Sequence, residues 1–339
     1  MNHLKSTLSV LLLLFTTISF AQKQPVDYVN PFIGTTNYGT TNPGAMCPQG
    51  FMSVTPFNVM GSDLNWRDKD KGWWSTPYVN NNSFLTGFAH VNLSGVGCPD
   101  LGSLLLMPTT GEVDVDYKEY GTTYKDEKAS PGYYSVMLDK YNVKAEVSAS
   151  LWVGTSRFTF PAGKSNILLN LGEGLTNETG AQLRKVNDRE MEGMKLLGTF
   201  CYTANQAVFP IYFVIRVNKT PEKSGYFKFH RPGYKWENDW NRDAGKYKIY
   251  TEYEKEIAGD DIGAYFTFNT NEDEQIEVQI GVSFVSIDNA RANLNSEQPN
   301  FNFDAVHANA RKLWNDDLSK IEVEGGTEDQ KVVFYTALY

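Results

Sequence analysis

Four stretches of this chain alternate apolar and polar residues with a period of two, and that pattern limits the fold more than any other feature. In 143–153 (VKAEVSASLWV), Val143, Ala145, Val147, Ala149, Leu151 and Val153 fall on one face, opposite Lys144, Glu146, Ser148 and Ser150. Residues 209–217 repeat this with Phe209, Ile211, Phe213, Ile215 and Val217, and 276–284 with Ile276, Val278, Ile280, Val282 and Phe284. Residues 246–253 set Tyr247, Ile249, Thr251 and Tyr253 against Lys246, Lys248 and Glu252. Side chains alternate across a strand, so each stretch predicts a half-buried strand. Shorter strands are expected at 101–107, 133–138, 157–160 and 166–171, separated by Gly, Pro, Asn and Asp clusters. Many strands with no helical period between them predict a mainly β chain built as a large β-sandwich.

The period changes after about residue 287. Asp288 to Leu294 predicts a short helix, and Asp304 opens a longer one with Val306, Ala310, Leu313, Trp314 and Leu318 at helical spacing. A short strand is expected from Ile321. Thr327 to Gln330 then forms a capping box ahead of VVFYTALY. That last helix is apolar on nearly every side and is expected to be buried on nearly every side. With a capped start and no finish, it reads as the first helix of a larger, truncated helical domain. The expected divisions are 1–21, 22–286, 287–320 and 321–339: export signal, β-sandwich, helical linker and start of the helical domain.

The export signal is read from basic Met1–Lys5, the apolar run Leu8–Phe20 and the small residues Ser19 and Ala21. The run is too short for a comfortable membrane span. The mature protein is therefore expected to be periplasmic or secreted, with no membrane span after signal cleavage. Lys plus Arg number 31 against 40 Asp plus Glu, a net charge of −9, which argues against a nucleic-acid partner. Cys47, Cys98 and Cys201 allow one bridge and one free thiol, and sequence does not choose the pair. No CxxC, HExxH, GxSxG or phosphate-loop motif is present, so no metal or catalytic residues are assigned. The pairs Asp68/Asp70, Asp260/Asp261 and Asp316/Asp317 have polar neighbours and read as solvated faces.

Between Tyr28 and Pro108 very few regular strands are expected, and dense Gly, Pro, Asn, Trp and Tyr stand instead, as in long binding loops. Trp73, Trp74 and Tyr78 lie between the charged segment Arg67–Lys71 and an Asn triplet. Flat rings beside amides and carboxylates suit a sugar, whose CH face stacks on a ring while its hydroxyls hydrogen-bond. His90 and Asn92, two apart on FAHVNLSG, would face the same way if extended and could orient a hydroxyl. The competing reading makes the aromatics loop filling and His90 a core residue bonded to carbonyls.

Several motifs in order are similar to glycoside hydrolase family 92, the calcium-dependent exo-α-mannosidases. They are Tyr28–Thr35 (YVNPFIGT), Asn42–Ala45 (NPGA), the block from Gly87 (GFAHVNLSGVGCPDLGSLLLMP), Gly132–Ser135 (GYYS), VSFVSIDNARANL from Val282, and FYTALY from Phe334. The resemblance implies a β-sandwich, a helical linker and an (α/α)-barrel catalytic domain, of which this chain holds the sandwich, the linker and the first barrel helix. It implies Ca²⁺, with the general acid, the base and the calcium ligands in the barrel and none at a position here. The sandwich loops would wall the pocket for a mannose-containing glycan with Trp73, Trp74, Tyr78, His90 and Asn92. Two departures bear on linkage. Tyr38–Asn42 replaces a His-rich turn, and Asn92 stands where many members carry a second His. A stand-alone carbohydrate-binding module without hydrolytic activity, or a structural domain with core aromatics, are the alternative readings.

Overall fold

The computed structural model describes residues 23–339 apart from 73, 176–179, 199–207, 234–239, 241 and 252–254. The export signal therefore lies outside the described residues. Two antiparallel sheets face one another. In spatial order, the eight-stranded sheet comprises Ala45–Met46 (β1), Ser53–Phe57 (β2), Gly87–Asn92 (β4), Leu101–Thr110 (β5), Gly163–Asn170 (β10), Ile262–Thr270 (β17), Lys223–His230 (β14) and Lys246–Thr251 (β15). The ten-stranded sheet comprises Glu256–Gly259 (β16), Ala181–Asn187 (β11), Glu190–Gly198 (β12), Val208–Val217 (β13), Glu274–Ser283 (β18), Val153–Phe160 (β9), Val143–Ala149 (β8), Tyr133–Leu138 (β7), Thr122–Ser130 (β6) and Phe84–Leu85 (β3). The protein is thus mainly β, a sandwich followed by helices.

The period-two faces form the core between the sheets. Val143, Ala145, Val147, Ile211, Phe213, Ile215, Ile276, Val278 and Ile280 all belong to one buried cluster with Phe88, Leu104, Phe158 and Phe266. Burying each of the larger of these side chains is worth roughly 1.5–3 kcal/mol.

Three expectations shift. The single strand expected over 143–153 ends at Ala149, and Ser150 turns the chain by donating its backbone N–H to the Val153 carbonyl (2.9 Å), so Val153 opens the next strand. In 246–253, β15 stops at Thr251 among the described residues, and Ile249 is exposed because β15 is an edge strand. No strand forms at Ile321; that segment is irregular.

Helices follow the last strand directly: Ile287–Glu297 (α1), Phe303–Leu318 (α2) and Glu328–Leu338 (α3). Each starts on a side-chain cap, from Ser286, Asn302 and Thr327 respectively, and Thr327 and Gln330 form the expected capping box. Helix α1 buries Ala290 and Leu294 against Val153 and Val214 on the outside of the ten-stranded sheet. This explains why Val214 is buried although it points away from the core. Helix α2 crosses β7–β9. There Arg157 links Glu146 (Nε–Oε2, 3.0 Å) to Asp304 (Nη1–Oδ1, 2.8 Å), and Tyr133 stacks on His307 (4.4 Å). Gly132, at φ +79°, permits that approach, because a Cβ there would lie 2.6 Å from the Ala310 Cβ.

Helix α3 differs from its expected burial. Tyr335 is buried, but Val333, Phe334 and Leu338 remain exposed. Its main packing partner is the N-terminal turn Pro25–Tyr28, not the sandwich.

Candidate functional site

Loops 35–42 and 58–82 meet at one end of the eight-stranded sheet, and buried amides hold them in shape. Asn58 donates to the Val79 carbonyl (3.0 Å) and accepts from the Val79 N–H (2.8 Å). Asn65 donates to the Met60 (3.2 Å) and Phe84 (3.0 Å) carbonyls and accepts from the Phe84 N–H (3.0 Å). Asn82 donates to the Asn58 (2.8 Å) and Arg67 (3.0 Å) carbonyls. An irregular buried backbone must find partners somewhere, and an amide side chain offers both donor and acceptor.

This scaffold presents a corner of three rings around a cation. The Arg67 guanidinium lies 3.9 Å from the Trp74 ring centre and 5.4 Å from that of Tyr38, and its Nη1 donates to the Asn37 carbonyl (2.8 Å). Tyr38 and Trp66 meet edge to face at 6.0 Å. Arg67 is only 6% exposed, whereas Tyr38 is 78% and Trp66 55% exposed. Burial lowers the Arg67 pKa. Its Nε and the Trp74 Nε1 are buried donors without an acceptor among the described residues. Two aromatic faces open to solvent, backed by hydrogen-bond donors, suit a polar molecule with apolar CH faces.

Of the residues singled out in the sequence, Trp74 belongs to this corner and Trp73 lies outside the described residues. Tyr78 is fully buried; its hydroxyl donates to Glu127 (3.0 Å) and lies 3.0 Å from Asn80 Oδ1. Glu127 also accepts from Tyr134 (2.6 Å), and burial raises its pKa. A bulge between Lys125 and Lys128 places this carboxylate there.

His90 is 1% exposed, with Nδ1 2.8 Å from the Leu104 carbonyl, and burial pushes its pKa down to about 4. Asn92 donates to the Ala89 carbonyl (2.9 Å) and to Ser53. The alternation expected to align His90 with Asn92 is interrupted at the residue between them, where Val91 has φ +62°. Tyr78, His90 and Asn92 therefore sit in hydrogen-bonded interior positions, while Tyr38 and Trp66 supply the accessible surface over the buried Arg67. The signal for Trp66 and Arg67 was present as neighbouring aromatic and charged residues, but Arg67–Lys71 was taken only as a charged segment beside the aromatics.

In two of the carboxylate pairs one member departs from the solvated reading, whereas Asp70, Asp260 and Asp316 are exposed as expected. Asp68 is buried and caps a turn through the Asp70 N–H (3.0 Å); its pKa is raised by burial. Asp261 is 9% exposed and takes both Nε and Nη2 of Arg231. Glu173 is held at the end of β10; burial pushes its pKa up to about 7 against the opposing pull of Lys69. The same interior region lowers the Lys195 pKa to about 8. Among the cysteines, Cys98 is disulfide-bonded. Cys47 is a buried free thiol donating to the Ala149 carbonyl (3.0 Å), its pKa pushed up to about 12. Cys201 lies outside the described residues. A concavity of about 430 Å³ lies elsewhere, at the β16 edge, lined by Arg184, Glu192 and Glu256, of which Arg184 and Glu192 pair with each other.

Comparison with known proteins agrees with this architecture. The family model described as the glycosyl hydrolase family 92 N-terminal domain matches residues 28–283, and that of the family 92 catalytic domain matches 289–339. A protein of Arthroderma benhamiae named an uncharacterized secreted glycosidase is 25% identical over 334 residues, 92% of this chain and 40% of that protein. A family GH92 α-mannosidase from Bacteroides thetaiotaomicron superimposes with a TM-score of 0.78 at 29% identity, covering 94% of this chain and 41% of that one. The same mannosidase in complex with mannoimidazole gives 0.77 at 29% identity, covering 94% and 40% respectively. The chain thus spans about 40% of the length of the relatives it matches. With the family model matched across three-quarters of its sequence in the order sandwich then helices, the chain belongs to glycosyl hydrolase family 92.

Proposed function

We propose that this chain is the N-terminal part of an exported, calcium-dependent, inverting exo-α-mannosidase acting on mannose-containing glycans. The observation that carries the reading is the ordered match of both family domains, together with structural likeness to an α-mannosidase at 29% identity. Export is supported by the N-terminal signal pattern and by the secreted relative. Among the described residues, no helix is long and apolar enough to cross a membrane.

In this reading the sandwich contributes positioning, not proton transfer. The corner would offer the exposed Tyr38 and Trp66 ring faces to sugar CH groups, held in place by the buried Arg67 and by Trp74 behind them. Correct placement of a substrate can supply several kcal/mol of the barrier reduction. Inversion in one step needs a protonated carboxyl at the leaving oxygen and a second carboxylate activating water on the opposite face. No such pair faces the corner among the described residues: Glu127 is held by tyrosines and Asp68 caps a turn. The acid and base are therefore assigned to the remainder of the catalytic domain, past the matched segment 289–339. Calcium would favour a distorted ring by binding sugar hydroxyls. Among the described residues no three His, Cys, Asp or Glu side chains converge as a metal site, so no step is routed through calcium here.

The test is direct. The purified chain is expected to release no mannose from α-mannosides, and the same sandwich continuous with a complete catalytic domain is expected to release it in an EDTA-sensitive manner. Trp66→Ala in the active form should raise KM without moving Tm, whereas Arg67→Met, which also removes a buried guanidinium from two rings and the Asn37 carbonyl, should raise KM and lower Tm. Mannose release by the chain alone, or kinetics indifferent to both variants, would refute the assignment of roles.

A further inference from the structure

We propose that residues 23–38 are a strap through which helix α3 fixes the position of the aromatic corner, with Tyr28 and Asn30 as positioning residues. The inference rests on the corner being the glycan-facing surface only for its functional meaning; the mechanical coupling stands on contacts alone.

At its first end the strap is gripped by both C-terminal helices. Tyr28 stacks on Tyr335 of α3 with ring centres 5.6 Å apart, and Lys23 and Lys331 approach the Tyr28 ring at 5.2 and 5.6 Å. Lys23 pairs with Glu328 (2.7 Å), and Asp27 with Arg311 of α2 (2.8 Å). Val26 and Val29 share one buried cluster with Trp314, Leu318 and Tyr335. The Asn30 N–H donates to the Thr336 hydroxyl of α3 (3.0 Å).

The path from Asn30 onward is stiff. Asn30 Oδ1 accepts from the Phe32 N–H (3.1 Å), the Thr35 hydroxyl donates to the Phe32 carbonyl (2.8 Å), and Thr41 donates to the Ile33 carbonyl (3.0 Å). Gly39 closes the loop on the strap so tightly that a Cβ there would lie 1.8 Å from the Gly34 carbonyl oxygen. At the far end, the Thr35 carbonyl receives the Asn80 N–H (2.9 Å), the Asn37 carbonyl receives Arg67 Nη1 (2.8 Å), and Tyr38 meets Trp66 and Arg67. One continuous hydrogen-bonded segment thus joins α3, in the part matched to the catalytic domain, to the corner on the sandwich. Helix α3 packs chiefly on Pro25–Tyr28, and Tyr335 also ties it to the preceding segment, donating to the Ile321 carbonyl (3.2 Å) and accepting from the Val323 N–H (3.2 Å).

A strap that couples two places must do so in both directions. Hydrogen exchange of the full chain, followed by mass spectrometry without any glycan, reads this. Tyr28→Ala removes the stack from the strap side, and Thr336→Val removes the Asn30 acceptor from the α3 side without touching the loops. Both are expected to speed exchange about tenfold in segments 35–42 and 64–70 as well as in Glu328–Leu338. The strand Val143–Ala149 should keep its wild-type protection, and Tyr28→Phe, which retains the ring, should stay at wild-type values throughout. Acceleration confined to α3, acceleration of every segment alike, or no acceleration overturns the inference. None of these outcomes bears on whether the corner binds a glycan, which the kinetic variants above decide separately.

Discussion

The burial of His90 makes a quantitative prediction about acid stability. Its ring sits between the sheets, with Nδ1 2.8 Å from the Leu104 carbonyl and the ring edge against Gly154, where a Cβ would lie 2.8 Å from His90 Cδ2. Such a site accepts the neutral ring, with Nδ1–H donating to Leu104, and disfavours the cation. Burial holds the folded-state pKa down at about 4, against 6.5 for the ordinary group. A base whose folded pKa is depressed binds protons more weakly in the native state. Its contribution is therefore intact above pH 6.5 and is lost as pH falls through the window from 6.5 to 4. The linkage relation puts that loss at about 3 kcal/mol over the whole window, and about 2 kcal/mol between pH 7 and 5. His90→Gln keeps a donor near Leu104 and cannot titrate. Urea unfolding of both proteins at a series of pH values gives the difference in stability, from which every other titrating group cancels to first order. That difference should move against the wild type by about 2 kcal/mol on going from pH 7 to 5. A flat difference would mean that the ring is solvated or already charged, and the buried-core placement of His90 would be wrong.

Other outcomes follow from the same geometry. Glu173 titrates with the opposite sense: its folded pKa, pushed up to about 7 from 4.5, means stability is gained as pH falls through that window. The wild type should therefore gain up to about 3 kcal/mol relative to Glu173→Gln between pH 7 and 4.5, measurable in the same urea series. Gly132→Ala combines a left-handed φ of +79° with a Cβ 2.6 Å from Ala310, so it should cost about 1–3 kcal/mol and raise exchange in α2; unchanged exchange there would refute the close contact. Asn82→Ala leaves the buried Asn58 and Arg67 carbonyls without their donor and should cost about 1–3 kcal/mol; an unchanged urea midpoint would show that the loop does not depend on its amides.

The sequence by itself determined the architecture of the middle of the chain. Val143–Val147, Ile211–Val217 and Ile276–Val282 can bury one face only as strands, and the capping box at Thr327 announces a helix because a hydroxyl there meets a free N–H group. The ordered motifs from Tyr28 to Phe334 also placed the chain in its family.

What only the tertiary structure decided is which loop residues face outward. Local alternation aligned His90 with Asn92, but the φ of Val91 interrupts it, and both are buried, hydrogen-bonded groups. Asp68 read as solvated and Arg67 only as part of a charged segment, yet the carboxylate caps a turn and the cation lies against the rings of Trp74 and of Tyr38, distant in sequence, which replace the water it gives up. The grip of Tyr28 on Tyr335, across the length of the chain, has no local signature at all. Periodicity records how each segment meets a core. Which polar groups leave water is set by contacts made only when segments far apart in sequence come together.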